Sequence, residues 1–292
     1  MFKPIIQSRF FPIRSKCTRL FFLTILSANV YAQSSGDVLL HINYENGTLN
    51  SGITGVNPTN ATASDAVYMV QPGAMGHYAV AHKVVYGDQG YYSNENWRSE
   101  SDADRFKAAR FLPGDERRYE FSVLLKDWIP WKAGDPTNET NIFQLKVSGG
   151  AGVPLQVRTQ RNAMRLRFAV ENNVPPADII PDIRTYVNQW IHFRIDVKWT
   201  DTNTGYMKTY MKLPGQGSYA LVDEKTNYRT YPGDGLGGQH GYIKWGIYVT
   251  PPDLTRVAYH DDIKVIYLGG PAPSPEITNG EIVYAHHHKL HK

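Results

Sequence analysis

From Asp37 to Leu268 the chain is a succession of runs of four to eight residues rich in Val, Ile, Tyr, Phe and Trp, each ended by a cluster of Gly, Pro, Asn or Asp. Few segments have a helical period. Runs this short, with β-branched and aromatic residues enriched, specify strands, and many of them in series specify an all-β sandwich. The expected strands are 37–44, 77–86, 96–101, 117–126, 141–148, 154–160, 163–170, 190–199, 205–213, 241–249 and 257–268. Two pairs read as hairpins: 154–160 with 163–170 around Arg161 and Asn162, and 190–199 with 205–213 across Asp201 to Thr204. Pro175, Pro176 and Pro181 predict a long loop before Trp190.

Three of these runs also alternate in a way that assigns their faces. In Trp97-Arg98-Ser99-Glu100, Ile142-Phe143-Gln144-Leu145-Lys146 and Tyr242-Ile243-Lys244-Trp245-Gly246-Ile247-Tyr248, the polar residues recur at every second position. Successive side chains of a strand point to opposite sides. Arg98 with Glu100, Gln144 with Lys146, and Tyr242 with Lys244 and Tyr248 therefore each share a face, while Phe143, Leu145, Ile243, Trp245 and Ile247 turn to a core. A sheet built so would carry a polar, partly cationic surface suited to an anionic polymer.

The first residues read as an export signal, with Lys3, Arg9, Arg14, Lys16 and Arg19 ahead of the apolar run Leu20 to Ala28 and small residues up to Ala32. That run is too short to span a bilayer. Residues 1–32 are accordingly set apart, with 33–270 as the β domain and 271–292, rich in Pro and ending in His286, His287, His288 and His291, as a flexible tail. The signal holds five of the 31 Lys and Arg and no acid, so the mature chain has 26 cations against 27 acids, a net charge of −1. Bulk attraction to nucleic acid is not supported, and any anionic ligand needs a local cluster of cations. Cys17, the one cysteine, leaves with the signal, so the exported domain has no disulfide and relies on its core. The expected location is secreted or periplasmic, as a monomer with no membrane contact. Asn46, Asn60 and Asn138 begin glycosylation sequons, of use only in a host that glycosylates.

Taken in order, Arg98-Ser99-Glu100, Phe143-Gln144-Leu145-Lys146 and Tyr242-Ile243-Lys244-Trp245-Gly246-Ile247-Tyr248 resemble the signature strands of the β-jelly-roll polysaccharide lyases, the group with alginate, glucuronan and heparin-I-type lyases. Trp190-Ile191-His192-Phe193 and the closing Tyr259 to Val265 fall in similar order, so the resemblance covers most of 37–268. It implies a concanavalin A-like jelly roll of two antiparallel sheets with a concave substrate groove, and a β-elimination that leaves a 4,5-unsaturated uronate. No cofactor is expected. The substrate implied is a uronic-acid polysaccharide.

Elimination beside a uronate requires taking the C5 proton, spreading the charge into the carboxylate and protonating the leaving oxygen at C4. By motif position Gln144 and Arg98 would neutralise the carboxylate, as an amide and a guanidinium can without proton transfer. Tyr248 matches the family's catalytic tyrosine, and its ordinary pKa of about 10 demands nearby cations, of which Lys244 on the same face is one. Where the family commonly has histidine two residues after the glutamine, this chain has Lys146. Either Tyr248 serves as both base and acid, or a histidine on another strand substitutes; His82, on an expected strand that would neighbour Arg98, is the preferred substitute. A lone tyrosine suits proton and leaving group on one side of the ring, as in D-glucuronate and D-mannuronate.

Glu100, Lys146, Tyr242, Arg158, Arg165 and Arg167 are the expected substrate contacts, the arginines as bidentate partners of further carboxylates. His77, His192, His240 and His260 are expected to be structural. Asp261 and Asp262 are expected at a strand end; a structural calcium there is conceivable but the spacing does not indicate one. Two rival functions share the fold. A glycoside hydrolase needs two carboxylates about the bond, and Glu100, Asp102 and Asp104 alternate, but Ser101 and Ala103 make poor core-facing neighbours. A non-catalytic carbohydrate-binding module needs only the groove.

Overall fold

The computed structural model describes residues 33–137, 139–150, 152–170, 174–233 and 239–272, with the backbone of 276–278 and 281–283. The expected signal, the histidine-rich end and Asn138 lie outside the described residues. Fifteen strands build the domain. They are β1 (Val38–Ile42), β2 (Val67–Val70), β3 (Ala79–Val85), β4 (Tyr92–Ser93), β5 (Asn96–Asp102), β6 (Glu116–Lys126), β7 (Thr140–Val147) and β8 (Gly152–Gln160). There follow β9 (Ala163–Phe168), β10 (Ala177–Ile180), β11 (Trp190–Lys198), β12 (Gly205–Lys212), β13 (Ala220–Tyr228), β14 (Gly241–Tyr248) and β15 (Thr255–Gly269). A short antiparallel pair, β16 (Glu276–Thr278) and β17 (Glu281–Val283), lies within the stretch expected to be a tail.

The strands form two antiparallel sheets, and both expected hairpins are present as β8–β9 and β11–β12. Sheet A runs β13-β12-β11-β6-β15-β3-β2, with β1 also on β15, and sheet B runs β10-β9-β8-β7-β14-β5-β4. The sequence reading missed β2, β4, β10 and β13, and each is an edge. An edge strand buries little, so it carries little of the apolar alternation by which a strand is recognised. Within the stretch expected as a long loop, Pro175 and Pro176 lead into β10, and Asp182 caps a 3-10 turn at Ile183–Tyr186.

The core lies between the sheets and is tied by aromatic contacts. Phe121 of β6 stacks on Phe143 of β7 at 3.9 Å and on Phe193 of β11 at 4.8 Å, joining the two layers. A second group stacks Phe111 on Trp199 at 3.8 Å, with Trp199 Nε1 donating to Tyr119 Oη at 2.8 Å. Each buried ring contributes about 1.5–3 kcal/mol, and the polar tips are satisfied inside. Ser101 and Ala103, expected to be poor core residues, are buried, and β5 extends through Asp102, one residue past its expected end at Ser101. Asp261 and Asp262 lie within β15 at a bulge and not at its end. There Asp261 Oδ2 accepts from the backbone N–H groups of Ala74 and Met75 at 2.8 and 3.0 Å. Among the described residues no helix is long and apolar enough to cross a membrane.

Candidate active site

The three alternating runs become β5, β7 and β14, and sheet B places them side by side in the order β7-β14-β5. The register then aligns their polar residues into two rows that cross the strands. One row is Arg167, Gln156, Gln144, Lys244 and Asp102; the other is Arg165, Arg158, Asn141, Tyr248 and Arg98. With strands about 4.8 Å apart, five of them span about 19 Å, room for a chain of sugars rather than one ring.

At the centre Glu100 is only 5% exposed and holds the site together. Gln144 Nε2 donates to Glu100 Oε1, Lys244 Nζ lies 2.6 Å from Oε2, and Arg98 Nη1 lies 3.9 Å from that oxygen. Gln144 and Lys244 are themselves 4% and 7% exposed. These three form a floor, while Arg98, Lys146, Tyr242 and Tyr248 remain partly open above it. Arg98 is fixed by donating from Nε to Ser93 Oγ at 2.9 Å, and its guanidinium lies 5.8 Å from the centre of the Tyr248 ring. Three cations, Arg98, Lys146 and Lys244, against Glu100 leave the centre net positive.

The tyrosine environment is mixed. Burial, then the Glu100 carboxylate, push the Tyr248 hydroxyl above its ordinary pKa, and Arg98 draws it back. Asn96 Nδ2 donates to Tyr248 Oη at 2.9 Å, a bond that favours phenolate. A reaction that needs Tyr248 deprotonated therefore gains rate as pH rises. The expected profile of log kcat/KM climbs with a slope of about one from pH 7 to 9 without a plateau below about 10; a plateau at neutral pH would assign the base to another group. Tyr242, pushed up by burial and then by Asp104, stays neutral. Lys146 is pulled below its ordinary value by burial and by the Lys244 ammonium.

Gly246 shapes the strand that carries Tyr248. Its φ is +131°, and a Cβ there would sit 2.4 Å from Ser99 O and 2.7 Å from Glu100 Cα. The β7–β14 register shifts between Trp245 and Tyr248 at this point. Gly246→Ala is expected to cost about 3 kcal/mol, read as a lower urea midpoint, and to reduce kcat because Tyr248 lies two residues on.

His82 does not join this group. β3 belongs to sheet A, and His82 points between the sheets with 0% exposure, 5.3 Å from His260. Ser101 gives its proton to Pro58 O at 2.7 Å, so His82 Nε2 donates to Ser101 Oγ at 2.9 Å. Burial holds the imidazole neutral, with its pKa well below the ordinary value. It has no path to a polymer on the outer face of sheet B. The expectation failed because alternation along a strand gives two faces without saying which one is the core.

Of the outlying arginines, Arg158 pairs with Glu139, and Arg165 pairs with Asp178 at 2.7 Å. Arg167 is exposed and donates to Gln156 Oε1 at 3.0 Å. A sugar carboxylate would share the first two with their acids and meet the third more freely. Of the histidines expected to be structural, His260 donates to Ile142 O at 2.9 Å, and His240 meets Asp104 Oδ1 at 2.6 Å beside Tyr242.

Two residues of the site escaped the sequence reading. Asn96 alternates with Arg98 and Glu100 on β5, a signal that was present in the spacing. Asn141 shares the Tyr248 row and leaves a buried side-chain oxygen without a partner. No spacing could reveal it, because the bulge between Asn141 and Phe143 sets its face.

Similar folds occur in solved structures. The endo-β-1,4-glucuronan lyase of the fungus Trichoderma reesei is 18% identical at a TM-score of 0.50, covering 74% of this chain and 94% of that one. The marine PL-14 alginate lyase of Aplysia kurodai is 9% identical at 0.54, covering 80% and 100%. The catalytic domain of a glycoside hydrolase family 131 protein from Coprinopsis cinerea, 11% identical at 0.51, covers 84% and 99%, so this fold alone does not separate lyase from hydrolase. No curated protein sequence matches the chain. The family assignment comes from the sequence model described as Polysaccharide lyase, which matches residues 44–264, and by that match the chain belongs to the polysaccharide lyase family.

Proposed function

We propose that this lyase cleaves a uronic-acid polysaccharide by β-elimination on the outer face of sheet B, with Tyr248 as the proton-transfer group. The observation that carries the reading is the row that sets Tyr248 directly beside Arg98 and four residues along the same strand from Lys244, over a floor whose carboxylate is already neutralised. Arg98 and Lys146, which project above that floor, would take the substrate carboxylate and hold the charge that develops as C5 loses its proton. Gln144 stands beneath them with one N–H committed to Glu100. Glu100 acts as a positioning residue, since both its oxygens are occupied by Gln144 and Lys244.

With His82 in the interior and Lys146 in the place of the family's histidine, Tyr248 both removes the C5 proton and returns one to the C4 oxygen. One group can do so when both lie on the same side of the ring, which favours glucuronan or mannuronate-type polymers. The hydrolase alternative would require a carboxylate free to protonate a leaving group, and Glu100 is bound at both oxygens. Export to the periplasm or beyond is proposed from the basic and apolar leader together with the polymeric substrate.

Incubating the purified protein with glucuronan, mannuronan, guluronan, ulvan, hyaluronan and heparin, and following ultraviolet absorbance, tests the reading. Growth of the unsaturated uronate signal on glucuronan or mannuronan is expected. New reducing ends without absorbance would establish hydrolysis, and binding without either product would establish a carbohydrate-binding module.

A further inference from the structure

A second feature lies at the end of the sandwich, where β14 leaves sheet B. A cavity of about 350 Å³ is bounded there by the loop after β6, the β8–β9 turn and the loop between β14 and β15. None of the residues assigned above to the active site lines it. Its size falls at the small end of ligand pockets, which span about 300–1,000 Å³.

The wall contains a buried cation that pairs with no acid. Arg256, on β15, is 8% exposed, and its Nε has no hydrogen-bond partner. Its guanidinium lies 4.5 Å from the centre of the Trp128 ring, and Nη1 makes a single long contact of 3.4 Å to Ile129 O. Among the described residues no carboxylate lies within ion-pair distance. Burial draws its pKa down to about 10, so it is still charged at neutral pH. A buried charge without a partner is costly unless something pairs with it.

The surroundings are fixed in place. Trp131 donates its N–H to Asn162 Oδ1 at 2.8 Å and accepts from Asn162 Nδ2 at 3.1 Å, which pins the loop to the β8–β9 turn. Arg161 lies 5.1 Å from the centre of the Trp131 ring and adds a second cation. Ile129, 59% exposed, stands at the rim. Asp135 and Asp253 also line the cavity. Asp135 accepts from the Lys132 N–H at 2.8 Å, and Asp253 is exposed.

We propose that this cavity is a second saccharide site, which receives the carboxylate of a one- or two-ring uronate on Arg256. A guanidinium fork with open donors matches a carboxylate, and the apolar wall suits the C–H face of a sugar ring. Asp135, Asp253 and Thr140 offer acceptors that an alkyl acid would leave unused and that ring hydroxyls would fill. The site stands on its own residues and does not depend on elimination at Tyr248.

The test is titration of the purified protein with D-glucuronate, followed by NMR at the Trp131 indole N–H and assigned with Trp131→Phe. A saturable shift is expected in the parent and in Arg98→Met, with affinity about 10- to 100-fold weaker in Arg256→Met, as loss of a charged hydrogen bond implies. D-glucose is expected to give no saturable shift. Arg256→Met removes an unpaired buried charge and is expected to melt no lower than the parent. Should it fail to fold, Arg256→Lys carries the same test through loss of the planar fork. No saturable shift in the parent, equal affinity in the Arg256 variants, or a shift lost in Arg98→Met alone would overturn the site. Inorganic phosphate binding as tightly as glucuronate would overturn its assignment to sugar acids.

Discussion

Tyr248→Phe is expected to lower kcat by about 10²- to 10⁴-fold while binding of a short oligouronate changes little. That range is what a positioned acid–base group contributes, and the proposed mechanism gives this one phenol two proton-transfer roles. The substitution deletes a single oxygen. The ring, its 5.8 Å approach to Arg98 and the cations beneath all remain, so ground-state binding survives. The bond from Asn96 is lost, a change of about 1 kcal/mol in stability. Initial rates by ultraviolet absorbance together with calorimetric binding to the inactive variant separate the two effects. A variant that keeps more than a tenth of the parent's kcat would remove Tyr248 from the chemistry.

The second large effect is expected in stability. Lys244→Met takes the ammonium from Glu100 and leaves a carboxylate 5% exposed with only Gln144 and the more distant Arg98 as partners. Breaking a buried ion pair from one side costs about 3–5 kcal/mol. The lower end is expected, because Arg98 Nη1 at 3.9 Å takes over part of the charge. The double variant Lys244→Met with Glu100→Gln has no uncompensated charge and should recover most of that loss. Urea unfolding of the four proteins gives the coupling energy directly. Additive losses would mean that Glu100 and Lys244 do not act as a pair. Recovery of stability without recovery of turnover would show that the charge of Lys244 serves the reaction as well.

Much of this arrangement could be read from the sequence, for an identifiable reason. β5, β7 and β14 are interior strands of sheet B, each with one face in the core, so their apolar alternation is strong and assigns Arg98, Glu100, Gln144, Lys244 and Tyr248 to a common side. The same rule failed for His82. Val80, His82 and Val84 alternate as regularly as the site residues, but in β3 the side they share is the interior. Asn141 fails in another way, since a bulge reverses its parity.

Local chemistry along the chain therefore determined the interior strands of sheet B, their two faces and the set of polar groups that share one of them, because side-chain periodicity is a property of each strand by itself. Pairing order was decided only in three dimensions. The contacts of Glu100 with Lys244, of Tyr248 with Asn96, and of Arg256 with no acid join residues up to 152 positions apart or depend on which loop closes over a sheet end. Those contacts depend on how two sheets pack, and burial, charge pairing and proton affinity follow from that packing rather than from any single strand.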